Sequence, residues 1–301
     1  MKIVARVGLA LLLLVVVIIV YLYSQLRSLT VEQITDDLYV LYGVGGNVGV
    51  LKTDVGTVVV DTMTFEIQGE RILDKAQELT GAPVVMVINT HYHSDHTHGN
   101  PAFPTGTRVV ATERTLHHLQ VTDTDFFSGD AQALLPNETF THFKKIQIGN
   151  KTLELHQTGR GHTDGDLAVL FVEDNVIHTG DLFFNHHYPN IDLEGGGSVQ
   201  AWADTLTPLL QLEFDQVIPG HGPLSDRAGL IQFQQFMQQL AGIGLQAAEK
   251  NWTLEQMQTT DALTADEGYS EIFLVIPSGL DRQFVLTRTW EEVTGNFVLR
   301  P

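Results

Sequence analysis

The 301-residue chain contains no cysteine. That excludes disulfide bonds, thiolate metal ligands and a lipid-modified cysteine, and it leaves the compartment open. Basic residues are scarce: 17 lysines and arginines stand against 36 aspartates and glutamates, a formal net charge of −19. Three of the basic residues, Lys2, Arg6 and Arg27, precede residue 31, and every acidic one follows it. The rest of the chain is therefore strongly acidic, which argues against nucleic acid or anionic lipid as a partner. Proline is sparse too, and no Pro-, Gly- or Ser-rich linker divides the chain after residue 31. With 43% hydrophobic and 18% charged residues, the composition is that of a folded protein with ample material for a core.

Charge is also missing from Val7 to Tyr23, a stretch that would span about 25 Å as a helix. That approaches the roughly 30 Å hydrocarbon core of a bilayer, with Tyr21 and Tyr23 where an interfacial aromatic belt would lie. The expectation is one N-terminal transmembrane helix within residues 1–27. It would anchor a domain over 28–301 that is exported to the periplasmic or extracellular side, since Lys2 and Arg6 precede the apolar run. A cleaved secretory signal is the alternative.

After residue 30 the chain reads as β-branched and aromatic runs broken by turn signals. "DLYVLYG", "NVGVLKTDVGTVVVDT" and "PVVMVINT" predict strands, and "FEIQGERILDKAQELTGA" carries the spacing of a helix that ends at Gly81. Strand, helix and strand from Val58 to Thr90 make a βαβ unit. Further strands are predicted in "TRVVAT", "KKIQIGNKTLELHQT", "LAVLFVEDNVIHTG" and "DQVIPGHG", and helices over 230–250 and 280–295. "EGGGS" at 194–198 reads as a flexible loop.

Directly after the βαβ unit stands "NTHYHSDHTHGN", with four histidines and an aspartate between His91 and His98. Two residues apart on extended backbone, His91 and His93 can point the same way, and Asp95 and His96 follow in the loop. Imidazole and carboxylate are good zinc donors, but one such group is seldom a complete ligand set. Three single donors stand downstream in Gly-containing turns: His162 in "GRGHTDGD", Asp181 in "HTGD" and His221 in "IPGHG".

This ordered set, His91-Tyr92-His93-Ser94-Asp95-His96 followed by His162, Asp181 and His221, resembles the metallo-β-lactamase fold superfamily over about residues 31–225. Asp61, closing the strand "TVVVD", matches the family's buried acidic position. The resemblance implies an α/β fold, an αββα sandwich of two mixed β-sheets flanked by helices, with metals at one sheet edge. It further implies one zinc on His91, His93 and His162, a second on Asp95, His96 and His221, and Asp181 bridging the two. Two Zn2+ per chain are expected, with Fe or Mn as substitutes. The implied reaction is attack of a metal-bound hydroxide on an ester, thioester, lactone or similar small acyl substrate, with Asp95 orienting the nucleophile and taking its proton.

Other residues are read more blandly. His98 is expected near the centre or at the surface and not as a ligand. His117, His118, His142, His156, His178, His186 and His187 are expected at the surface or at strand ends, with His186, His187, Tyr188 and Asn190 as candidate substrate contacts and Tyr92 as packing or pocket lining. Specificity is expected in loops 40–47, 120–136 and 183–200. With no cysteine, an Asp at position 181 resembles hydroxyacylglutathione hydrolases, lactonases and related esterases. Gripping an acidic glutathione thioester would call on basic side chains, and the C-terminal part offers only Lys250, Arg282, Arg288 and Arg300. Zinc β-lactamase activity and a mononuclear iron persulfide dioxygenase are the alternatives, together with a non-catalytic zinc-binding protein. The oligomeric state stays open.

Overall fold

The computed structural model describes residues 2–272 and 278–297, with side chains from Leu11 onward. Helix α1 (Lys2–Arg27) precedes strands β1 (Thr30–Gln33), β2 (Leu38–Tyr42), β3 (Val48–Lys52) and β4 (Thr57–Val60). Helix α2 (Glu66–Thr80) leads to β5 (Val84–Ile88), the single turn α3 (Ser94–Thr97), β6 (Arg108–Thr112), α4 (Glu113–Thr122) and β7 (Glu138–Phe140). Then come β8 (Phe143–Ile148), β9 (Lys151–His156), β10 (Ala168–Phe171), β11 (Val176–Phe184), α5 (Val199–Leu209), β12 (Gln216–His221) and β13 (Ser225–Asp226). Helices α6 (Arg227–Glu249), α7 (Leu254–Gln258) and α8 (Arg282–Thr294) complete the described chain.

The first sheet orders its seven strands as β1 to β7, antiparallel up to β4 and parallel beyond it. The second runs β13-β12-β11-β10-β9-β8, antiparallel except for the β11–β12 pair. Strand β4 shows how the layers arise. Val58 and Val60 point between the sheets, among Met86, Ile88, Leu153, Leu155, Val169 and Phe171. Val59 points the other way, into a cluster with Ile72 and Ala76 of α2. A strand buried on both faces must be apolar at every position, as "TVVV" is. The second sheet buries its outer face, with Leu182 and Val217, under Trp202, Leu206, Phe233, Phe236 and Leu286 of α5, α6 and α8. Three apolar layers thus separate helix, sheet, sheet and helix, as expected.

The strand–helix–strand unit is found as β4–α2–β5, and Gly81 ends α2 in the left-handed region at φ 71°. Helices α4 and α5 were not among the sequence expectations, and α4 occupies the start of the 120–136 segment read as a loop. "EGGGS" is no flexible loop: Gly197 N–H donates to Asp192 O (2.8 Å), Ser198 N–H to Gly161 O (2.8 Å) and Asp164 N–H to Gly195 O (3.0 Å).

The expected transmembrane helix requires correction. Among the described residues no helix is long and apolar enough to cross a membrane. The side chains of Lys2 and Arg6, and Arg300 at the other end, lie outside the described residues. Membrane anchoring through this helix is not supported among the described residues.

Phe171, 1% exposed between the two sheets, tests the packing. Phe171→Ala is expected to lower the unfolding free energy by about 3–5 kcal/mol in urea titrations. A loss below about 1 kcal/mol would show that the layer between the sheets is not tightly packed.

Candidate metal centre

The donors gather at one edge of the sandwich because four connections end there. The turn after β5 carries His91, His93, Asp95 and His96. Asn89 and Asn100 lock it through reciprocal amide hydrogen bonds (2.8 and 3.1 Å), and Asn89 Nδ2 also donates to His96 O (3.2 Å). His162 follows β9, and His221 ends β12. Asp181 lies within β11 where the register with β12 shifts, next to Gly180 at φ 50°. A side chain at 180 would be strained in that backbone, so glycine permits the irregularity that turns Asp181 toward the histidines.

Two groups of donor atoms result, each within 4.8 Å: His91, His93, His162 and Asp181, and then Asp95, His96 and His221. The Asp181 carboxylate faces both. Its Oδ2 lies 3.5 Å from His162 Nε2 and 3.8 Å from His91 Nε2. Its Oδ1 lies 3.1 Å from His96 Nε2 and 3.5 Å from His221 Nε2. Ligand atoms about 2.0–2.1 Å from a tetrahedral zinc stand about 3.3 Å apart, which is the range of these separations.

The outer hydrogen bonds decide which nitrogen each imidazole turns inward. His96 Nδ1 bonds Asp61 Oδ2 at 2.7 Å, and Thr90 Oγ1–H donates to the same oxygen at 2.7 Å. With its hydroxyl proton so used, Thr90 Oγ1 accepts from His91 Nδ1 at 3.1 Å. His162 Nδ1 donates to Asn190 O at 2.9 Å, and His93 Nε2 to Asp192 Oδ2 at 3.0 Å. Each ring is thereby set to turn one nitrogen inward: Nε2 of His91, His96 and His162, but Nδ1 of His93. Two of these, His162 Nε2 and His93 Nδ1, face each other at 2.7 Å. Buried His91 Nε2 and Asp181 Oδ1 have no hydrogen-bond partner. Buried nitrogen and carboxylate atoms converging in tetrahedral range suit a cation such as zinc.

Charge differs between the groups. Burial drives His91 well below the ordinary imidazole value and lowers His162 to about 4, with the nearby histidines adding to it. Burial opposes charge on His96 and His221 as well, but there the Asp181 and Asp95 carboxylates prevail. They raise His96 well above the ordinary value and His221 to about 9. Burial raises Asp95 and Asp181, yet the His96 and His221 imidazoles outweigh it and hold both below the usual carboxylate range.

The remaining expectations sort cleanly. His98 bonds Asp123 (2.6 Å) and stacks on Phe126, so it belongs to neither group. His117, His142 and His186 are exposed and His156 ends β9. His178 and His118 are corrections. His178 is buried inside β11, bonded to Asn47 O and Gly180 N–H, and His118 is buried against Asp164. Tyr188 is buried against Asp266, and His187 contacts Ser270 O. Tyr92 stacks on His118 and donates to Asp192. A cavity of about 80 Å³ opens beside His93, Asp95, Asp181, Asn190 and His221. It shares His221 and Ile272 with a neighbouring groove of about 340 Å³ lined by Glu32, Tyr42 and His187. Asn190 thus lines the cavity, while Thr90 and Asp192 were missed. The signal for Asp192 was a carboxylate just ahead of "EGGG" in the loop after Asp181.

Residues 41–221 match the family model described as the Metallo-beta-lactamase superfamily. Metallo-beta-lactamase IND-1 of Chryseobacterium indologenes is 27% identical over 195 residues, 61% of this chain and 77% of that protein. A hydroxyacylglutathione hydrolase of Rhodospirillum rubrum is 29% identical over 118 residues, 38% of this chain and 40% of that protein. Among solved structures, a metallo-beta-lactamase from Pontibacter korlensis aligns with TM-score 0.62 at 23% identity, covering 70% of this chain and 99% of that one. The sec-alkylsulfatase Pisa1 from Pseudomonas sp. aligns with TM-score 0.70 at 17% identity, covering 89% and 51%. At such identities these structures show the fold alone. Fold, donor set and relatives together define a metal-dependent hydrolase. The chain belongs to the metallo-beta-lactamase superfamily.

The raised value of His221 has a consequence for metal uptake. Below about pH 9 the metal-free imidazole holds a proton that a cation must displace, so affinity should climb with pH and level off near 9. Calorimetric zinc titrations at pH 7 in buffers of different ionisation enthalpy should show proton release. Uptake with no proton released would contradict this charge assignment.

Proposed function

We propose that the protein is a binuclear zinc hydrolase of small, uncharged acyl substrates such as esters and lactones. His91, His93 and His162 would hold one zinc and Asp95, His96 and His221 the other, with Asp181 between them. The observation that carries this reading is the Asp181 carboxylate, one oxygen toward each donor group. When bound, the zinc pair supplies acidified water and Lewis-acid polarisation of the acyl carbonyl.

The chain's own residues do the rest. Asp95 borders the cavity, and its ionised carboxylate is an acceptor suited to orient a water. Phe184, Ile272 and Leu280 wall the cavity and exclude bulk water from the reacting carbonyl. Neither cavity has a lysine or arginine among its described lining residues, and Glu32 lies at the groove. Arg282 is engaged by Asp266 and Leu263 O, and Arg288 by Ile191 O, Glu194 and Glu291. That disfavours the acidic tripeptide of a glutathione thioester, which needs cationic partners.

The second reading is β-lactam hydrolysis, supported by relatives that carry that name. A mononuclear iron dioxygenase is the less favoured alternative, because Asp95, His96 and His221 are grouped so that they could hold a second ion. Export of the acidic domain belongs to the proposal, with the apolar N-terminal stretch serving as a secretory signal. Cell fractionation with N-terminal sequencing tests it, and an uncleaved cytoplasmic protein would refute it.

Metal analysis by mass spectrometry should find about two zinc per chain. Turnover of 4-nitrophenyl esters and lactones should exceed that of carboxylate-bearing esters, glutathione thioesters and β-lactams. Asp95→Asn should keep most zinc in the all-imidazole site yet lower kcat by roughly 100-fold or more. Full activity in that variant would remove Asp95 from the reaction, and a fully metallated enzyme inert on every acyl compound would end the hydrolase proposal.

A further inference from the structure

His93 differs from the other histidines of the centre by turning Nδ1 inward, which leaves its Nε2 facing outward. The outward nitrogen meets Asp192 Oδ2 at 3.0 Å. Tyr92 Oη–H donates to the same oxygen, and Gly195 N–H donates to Oδ1 at 2.9 Å. Two residues earlier, Asn190 O accepts from His162 Nδ1 at 2.9 Å. One short stretch of loop therefore orients two of the three imidazoles in the first donor group.

That stretch is held from outside by α8. Buried Arg288 donates from Nε to Ile191 O at 2.8 Å, between the two orienting residues. Glu292 accepts from Ser198 Oγ at 2.5 Å and from Val199 N–H at 2.8 Å, fixing the end of the loop. Helix α8 lies beyond residue 221, where the match to the family model ends.

We propose that Asp192 is a positioning residue that selects the His93 tautomer with a bare Nδ1, and that α8 sets the height of the loop from which it acts. The inference rests on the reading of His93 as a metal ligand. Without an acceptor at Nε2 the imidazole proton can sit on Nδ1, where it blocks the lone pair, and the ring loses its orientation. The carboxylate also makes the ligating nitrogen more basic. Removing such an outer partner typically weakens metal binding about 10- to 100-fold.

The test measures Co2+ and Zn2+ affinity of the full chain by chelator competition, with the cobalt d–d spectrum reporting geometry. Asp192→Asn should weaken one site of the two by about 10- to 100-fold and alter its cobalt bands, leaving the other site unchanged. Asp192→Glu should recover part of the loss, and Arg288→Lys should give a smaller shift at the same site. If Asp192→Asn fails to fold, Gly195→Ala serves instead. A Cβ there would press on Asp192 Oδ2 and Tyr92 Oη, displacing the carboxylate without deleting it. Wild-type affinity at both sites in these variants, or equal weakening of both, would overturn the role given to Asp192. A wild-type chain that takes up no cobalt would instead overturn the metal centre itself.

Discussion

Asp61 lies beneath the metal centre with no solvent exposure and accepts from Thr90 N–H at 2.8 Å, Thr90 Oγ1–H at 2.7 Å and His96 Nδ1 at 2.7 Å. Hydrogen bonds to a charged acceptor contribute about 1.5–3 kcal/mol each, more than enough to hold Asp61 in the left-handed backbone region at φ 64°. Through these bonds one carboxylate governs both donor groups: His96 of the second directly, and His91 of the first by way of Thr90. The two apolar layers around β4 give this side chain its environment, because only a strand end sealed from water leaves the carboxylate no other partners.

Charge is distributed over the centre in a graded way. In the first group, burial keeps His91 and His162 unprotonated and ready to donate lone pairs. The second group holds Asp95 beside Asp181, and in the absence of metal His96 and His221 answer that negative charge with protons. A cation bound in the second group would therefore replace protons, whereas one bound in the first would meet the unprotonated His91 and His162. Asp181 belongs to both and ties their electrostatics together.

Much of this was legible beforehand, for identifiable reasons. Metal-capable donors in a chain without cysteine are chiefly histidine and carboxylate, so His91, His93, Asp95, His96, His162, Asp181 and His221, which the fold brings together, stood out from their turns. Strands β4 and β5 declared themselves because burial on two faces demands unbroken apolar sequence. Helices α4 and α5 were hidden, since their packing depends on partners distant in the chain. The rigidity of "EGGGS" was hidden too, because glycine permits close backbone approach as readily as it permits motion. Asp192 and Thr90 meet the candidate donors His93 and His91 through hydrogen bonds, one to a residue far away in sequence and one to a neighbour's ring, and no local pattern marks such contacts. His178 shows the same limit: its two buried partners, Asn47 O and Gly180 N–H, satisfy a ring that composition alone would place at the surface.

The grip of Arg288 on Ile191 O bears on how the protein is made. A nascent chain has all seven donors once His221 has been synthesised, yet the helix that steadies two of them is still inside the ribosome or not yet translated. The loop that orients His93 and His162 is therefore braced only after α8 has been made and has docked, well after His221 has been added to the chain.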